Sequence, residues 1–179
     1  MAILKLVPYT RYAGLAPDIA NEQLIRNAIY YITNKESNPD HRYGGYNFVC
    51  GTADEIIAQF LALNRYYHRA NHIPIRHIVL SLDSYNEYFI TPYQLERIVN
   101  RFCLDMFGDE YQVAYGIHEN TANLHAHIIV NTVNFHTGLL LPWNYTMEQR
   151  IYETMKLILR LNSYWKGAYP ITRLKMCYS

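Results

Sequence analysis

The sequence has no run of about 18 consecutive apolar residues, so no membrane-spanning helix is expected. Its opening, MAILKLVPYTRYAGL, holds an apolar run too short for a signal peptide. Cysteine is scarce. Cys50, Cys103 and Cys177 lie far apart, and no C-x-x-C occurs, which excludes a zinc ribbon and a disulfide framework. Reduced thiols in a cytoplasmic protein are the expectation. Charge is scarce too, at 17% of residues, too little for a highly charged disordered chain. Sixteen basic against fifteen acidic residues give a net charge of +1, which excludes a strongly basic chromatin-type protein. A local basic face remains compatible with that balance, because net charge says nothing about distribution. There is no internal repeat, low-complexity tract or linker.

What is present suffices for a folded core. Half of the 179 residues are hydrophobic, which predicts a single domain over residues 1–179. Tyrosine is abundant, at 18 residues. Its apolar ring and polar hydroxyl suit half-buried surfaces and binding faces.

Periodicity and punctuation predict strands at Ala2–Pro8, Tyr46–Val49, Ile75–Asp83, Tyr111–His118 and His125–Asn134. Helices are predicted from an Asp18 cap to Thr33, from Thr52 to Ala70, from Thr91-Pro92 to Phe107 and from Asn144 to Tyr164. Thr52 with Glu55 has capping-box spacing. The 111–134 hairpin must be antiparallel. The expected class is therefore α+β, a mostly antiparallel central sheet with helices packed on it.

The informative stretch is YGIHENTANLHAHIIVNTVN. Alternate strand residues face the same way, so His125 and His127 share a face with Ile129 and Asn131. Ala126, Ile128 and Val130 point to the other face, as core residues do. A simple hairpin brings His118 beside His125, since opposed residues of an antiparallel pair share a face with Cβ atoms about 4.5–5.5 Å apart. Three imidazoles then converge, and Ala114 and Gly116 leave room beside them. Three neutral imidazoles make a divalent metal site with open coordination positions. His41, His68, His72, His77 and His136 show no such register and read as surface or hydrogen-bonding residues.

The pattern His118-x6-His125-x-His127-x3-Asn131 resembles the third motif of the relaxases, within the HUH endonucleases. The MOB-P type of mobilisable and conjugative elements is the nearest in pattern. NAIYYITNKES and YGGYNFVCGT resemble the first motif, a helix with a tyrosine before a polar loop. HIVLSLDSYNEYFITPYQLERIV resembles the middle strand and the helix after it. The likeness covers roughly residues 20 to 140, with the motifs in order.

The resemblance implies a relaxase fold and a metal-dependent nuclease that nicks one DNA strand at an origin of transfer. A tyrosine hydroxyl attacks the phosphodiester, leaving a 5′-phosphotyrosine and a free 3′-hydroxyl that can later be rejoined. The implied nucleophile is Tyr31, with the adjacent Tyr30 about 100° away on a helix as the alternative. The chain departs from the family's common Lys-Thr after this tyrosine, having Lys35-Glu36-Ser37. The implied ligands are His118, His125 and His127, around one divalent ion. Mn²⁺ or Mg²⁺ is expected, with Zn²⁺, Co²⁺ or Ni²⁺ as alternatives. The implied acid orienting a histidine or a water is Glu87, with Asp83 as the alternative.

For single-stranded DNA, phosphate contacts come from Lys and Arg and base contacts from aromatic stacking. Arg150, Lys156 and Arg160 are the first candidates, interleaved with Tyr152 and Tyr164 and continued by Lys166, Arg173 and Lys175. A second patch has Arg65, Arg69 and Arg76 with Tyr66 and Tyr67. The implied partners are DNA at the transfer origin, accessory DNA-binding proteins and a transfer apparatus. No helicase, primase or transport region is expected in so short a chain. Two further readings stay open. A replication initiator or transposase of the same superfamily would use Tyr152 with Lys156, and a three-histidine hydrolase would form no covalent intermediate.

Overall fold

A computed structural model describes residues 2–8, 15–82, 90–119, 123–164 and 174–178, with the backbone alone at 162–164, 174, 177 and 178. Along the chain run β1 (Ala2–Val7), α1 (Pro17–Thr33), β2 (Tyr43–Tyr46), α2 (Ala53–Tyr66), β3 (Ile75–Leu82) and α3 (Pro92–Phe107). β4 (Tyr111–His118), β5 (His125–Asn134), α4 (Tyr145–Tyr164) and β6 (Leu174–Tyr178) follow. The six strands form one sheet in the order β2-β4-β5-β3-β1-β6. Every neighbouring pair is antiparallel except β1 with β6. The chain is α+β, with a mostly antiparallel sheet, as its pattern predicts.

Helix starts follow local chemistry. The Thr52 hydroxyl accepts from the Glu55 N–H, and the Glu55 carboxylate accepts from the Thr52 N–H at 2.7 Å. Thr91 and Gln94 make the same reciprocal pair at the start of α3, with Pro92 at the first helical position. Each box satisfies two backbone donors that a helix start leaves without partners.

Several boundaries differ from those the sequence predicts. α1 begins at Pro17 with Ala16 as its cap, and Asp18 lies in the first turn, where its charge suits the helix dipole. α2 stops at Tyr66 rather than Ala70. β2 takes in the two glycines, running Tyr43–Tyr46 instead of Tyr46–Val49. At Gly45 a Cβ would stand 2.6 Å from the Val113 carbonyl oxygen, so the missing side chain is what lets this edge strand approach β4. The short parallel strand β6 has no counterpart in the sequence reading.

Helices cover both faces of the sheet. On one face, α3 and α4 pack Phe102, Cys103, Ile151, Met155 and Ile158 against Leu80, Ile117, Ala126 and Ile128. On the other, α1 and α2 pack Ile25, Ile29, Ile32, Ile57 and Phe60 against Ile75, Ala114 and Ile129. β4 and β5 are buried along their whole length, sandwiched between the two helix pairs. Among the described residues no helix is long and apolar enough to cross a membrane.

Candidate metal centre

β4 and β5 set the positions of the three histidines. His118 pairs directly with His125, and His127 pairs with Gly116. All three side chains are buried and lie on the face that α1 and α2 cover. Ring centroids are 5.3 Å apart for His118 and His125, 4.6 Å for His118 and His127, and 4.9 Å for His125 and His127. One nitrogen from each ring lies within 4.8 Å of the others, close enough to share a single ion.

Partners behind the rings fix which nitrogens face inward. His125 Nδ1 lies 2.8 Å from the Asn123 carbonyl oxygen, and His118 Nε2 lies 3.2 Å from that of Ile32. A carbonyl only accepts, so each of those nitrogens carries the proton, and the other nitrogen of each ring keeps a lone pair. His127 Nδ1 lies 2.8 Å from His77 Nε2, while His127 Nε2 is buried with no hydrogen-bond partner. A buried nitrogen left without a partner costs about 1–3 kcal/mol, and a bound cation removes that cost. The donor set fits a divalent ion.

Electrostatics favour the neutral form of His118 and His127. Burial pushes the His127 imidazole far below its ordinary range, with His77, His118 and His125 adding to the effect. Burial also lowers His118, against the opposing pull of the Ile32 carbonyl. The same cause brings His77 down to about 4, helped by His118 and Lys5. Neutral imidazoles at pH 7 are what a metal requires of them.

The room that the sequence predicts beside the histidines is filled by the end of α1. A Cβ at Gly116 would lie 2.1 Å from the Ile32 carbonyl oxygen, so glycine there lets the helix end touch the sheet. That contact seats the last turn of α1 against β4. The Tyr31 ring stands edge-on to His118 at 5.3 Å and to His127 at 4.9 Å between centroids. It is half exposed. Tyr30 points elsewhere, donating its hydroxyl proton to Asp54. The bond to Asp54 raises the Tyr30 phenol above its ordinary value.

The other candidates fall as follows. Asn131 shares the histidine face but is fully buried in a polar cluster beneath α2. Its Nδ2 donates to Gln112 Oε1 at 2.9 Å, and its Oδ1 accepts from Asn64 Nδ2 at 3.1 Å. It holds α2 to the sheet and lies away from the ion site. Glu87 and Asp83 lie outside the described residues, as do Lys166 and Arg173. Arg150, Lys156 and Arg160 are on α4, across the sheet from the histidines. Lys156 is paired with Glu153 at 3.2 Å and sits over the Tyr152 ring at 5.3 Å. Tyr152 packs against the α3–α4 core, so the structure does not bring it to the three imidazoles. Arg76 belongs to that side as well, stacked on Trp143 at 5.0 Å. His77 is the residue whose place the sequence reading missed. Its signal was a histidine within the largely apolar strand IRHIVLSL, and only the pairing of β3 with β5 gives that signal a meaning.

Comparison with known proteins agrees with the geometry. The sequence profile of the relaxase family described as MobA/VirD2-like, nuclease domain, matches residues 31–162. Protein TraI of Escherichia coli is 28% identical over 125 residues, covering 68% of this chain and 15% of TraI. The group II intron-interrupted relaxase LtrB of Lactococcus lactis subsp. cremoris is 30% identical over 61 residues, covering 34% of this chain and 11% of LtrB. The chain thus spans about a seventh or less of the length of these relatives. With the family profile matched over most of its length, the chain belongs to the MobA/VirD2-like relaxases through their nuclease domain.

Proposed function

We propose that this chain nicks and rejoins single-stranded DNA at an origin of transfer, with Tyr31 as the nucleophile. The observation that carries the reading is the placement of the Tyr31 ring edge-on to two of the three converging histidines. His118, His125 and His127 would hold one divalent ion, Mn²⁺ or Mg²⁺ before Zn²⁺, Co²⁺ or Ni²⁺. That ion would supply positive charge to the phosphate oxygens. The Tyr31 oxygen attacks phosphorus, and the bond from phosphorus to the 3′-oxygen breaks. The half-exposed phenol gives its proton to water, and the departing 3′-oxygen takes one up. The 5′-phosphate stays on Tyr31, so the bond energy is kept for rejoining. The buried floor of the site holds the tyrosine and the histidines in fixed relation, as attack in line with the leaving oxygen demands.

Glu87 is proposed as an acid that supports the site from the segment after β3. Arg150, Lys156 and Arg160 are proposed as contacts for DNA that has passed to the α4 layer, away from the cleavage point. Accessory DNA-binding proteins and a transfer apparatus would act with the whole relaxase in the cytoplasm.

The test is incubation of the protein with origin-containing single-stranded DNA and Mn²⁺, followed by a denaturing gel. A protein–DNA adduct is expected for the native chain and none for Tyr31→Phe, while Tyr30→Phe keeps it. A 3′ label should stay with a peptide containing Tyr31. A label on Tyr152 would overturn the assignment of the nucleophile. Cleavage by Tyr31→Phe with no bound label would indicate a hydrolase.

A further inference from the structure

We infer that His77 is a positioning residue for His127, fixing the proton of the His127 ring so that Nε2 is offered to the ion. The inference rests on the reading of His118, His125 and His127 as a metal centre.

His77 is on β3, opposite Ile129, one step diagonal from His127 on the same face of the sheet. Both side chains are buried. His77 Nε2 and His127 Nδ1 are 2.8 Å apart, with ring centroids at 5.0 Å. Two neutral rings at that distance share one proton between those nitrogens. If His77 Nε2 carried it, the His127 proton would sit on Nε2. That would turn an N–H, and no lone pair, towards the two other imidazoles, so His127 could not join them as a ligand. If His127 Nδ1 carries it, His77 Nε2 accepts, and the lone pair of His127 Nε2 faces the ligand cluster. Both arrangements satisfy the contact, and only the second leaves a ligand.

The usual partner behind a ligating histidine is a carboxylate, a backbone carbonyl or a water. His125 and His118 use carbonyls. His127 uses a fourth imidazole, that of His77, which accepts the hydrogen bond without adding negative charge. The full charge of the ion is then left for the phosphate.

Two measurements test this. In the metal-free native protein, long-range ¹H–¹⁵N spectra of the imidazoles should show His127 protonated at Nδ1. Protonation at Nε2 would overturn the inference without any variant being made. Titration calorimetry with Mn²⁺ alone then compares the native chain with His77→Phe and His77→Gln. His77→Phe keeps a ring but no acceptor, and its Mn²⁺ affinity should fall by about 10–100-fold. His77→Gln places an amide oxygen near the position of Nε2 and should recover most of the affinity. Native affinity in folded His77→Phe would overturn the positioning role and leave the metal centre intact. No Mn²⁺ binding to the native chain would instead sink the metal centre itself.

Discussion

The two faces of strands β4 and β5 are equally buried and chemically opposite. Tyr115, Ile117, Ala126, Ile128 and Val130 go into the α3–α4 core. His118, His125, His127 and Asn131, on the other face, are just as hidden from water. Burial therefore does not separate framework from function in this chain. What separates them is which buried groups have found partners. The apolar face needs only volume, and its packing stabilises the fold. On the polar face Asn131 is bonded through both ends of its amide, while His127 Nε2 has no partner. On this face Asn131, bonded at both ends, ties α2 to the sheet, and His127, open at Nε2, belongs to the histidine cluster.

The comparison can be broken most directly on the polar face. Replacing both His125 and His127 by Ala should remove Mn²⁺ binding by more than the roughly 10–100-fold expected for loss of a supporting partner. Calorimetry measures this, and unchanged affinity would end the metal reading. On the apolar face, Phe102→Ala should cost about 3–5 kcal/mol of stability, because a large buried ring leaves a cavity. Denaturant unfolding should show that loss, while the folded fraction binds Mn²⁺ as before. A variant that lost stability and metal affinity together would mean that the faces are not independent.

Acid gives a weaker probe of the same difference. In the folded metal-free chain His77 holds out to about 4, and His127 is lowered in the same direction. In the unfolded chain both titrate near 6.5, so between these limits the unfolded state binds more protons. Stability is then complete above about pH 6.5 and drains away as pH falls towards 4, by about 3 kcal/mol for His77 alone. Unfolding midpoints at pH 7, 6 and 5 should fall in that order, and less steeply in His77→Gln. A flat profile over that window would contradict buried neutral histidines. The smallest effect belongs to the outer surface of α4. Arg150→Glu with Arg160→Glu should weaken binding of long DNA, most clearly at low salt, and leave cleavage of a short oligonucleotide near the native rate. Loss of short-substrate cleavage would place those arginines at the reaction itself.

Much of the site was legible in the sequence because its rules are local. A period of two places His125 and His127 on one face, and a simple hairpin places His118 opposite His125. The capping box at Thr52 is read within four residues and is found as written, and Thr91-Pro92 opens α3 as read. Less legible were features that depend on partners far along the chain. The edge strand β2 includes two glycines, a composition that reads as a loop until β4 is set beside it. β6 is specified only by its parallel pairing with β1.

The sequence by itself determined that three histidines converge on one face of an α+β sheet, since alternation and hairpin closure need no distant information. It offered Tyr30 and Tyr31 side by side. The tertiary structure sets them apart, with Tyr31 against His118 and His127 and Tyr30 bonded to Asp54. It also placed α4 with its basic residues across the sheet, and His77 behind His127 through the register of β3 on β5. Helix rotation and the register of strands far apart in sequence are set by packing over the whole domain. No window of neighbouring residues contains them.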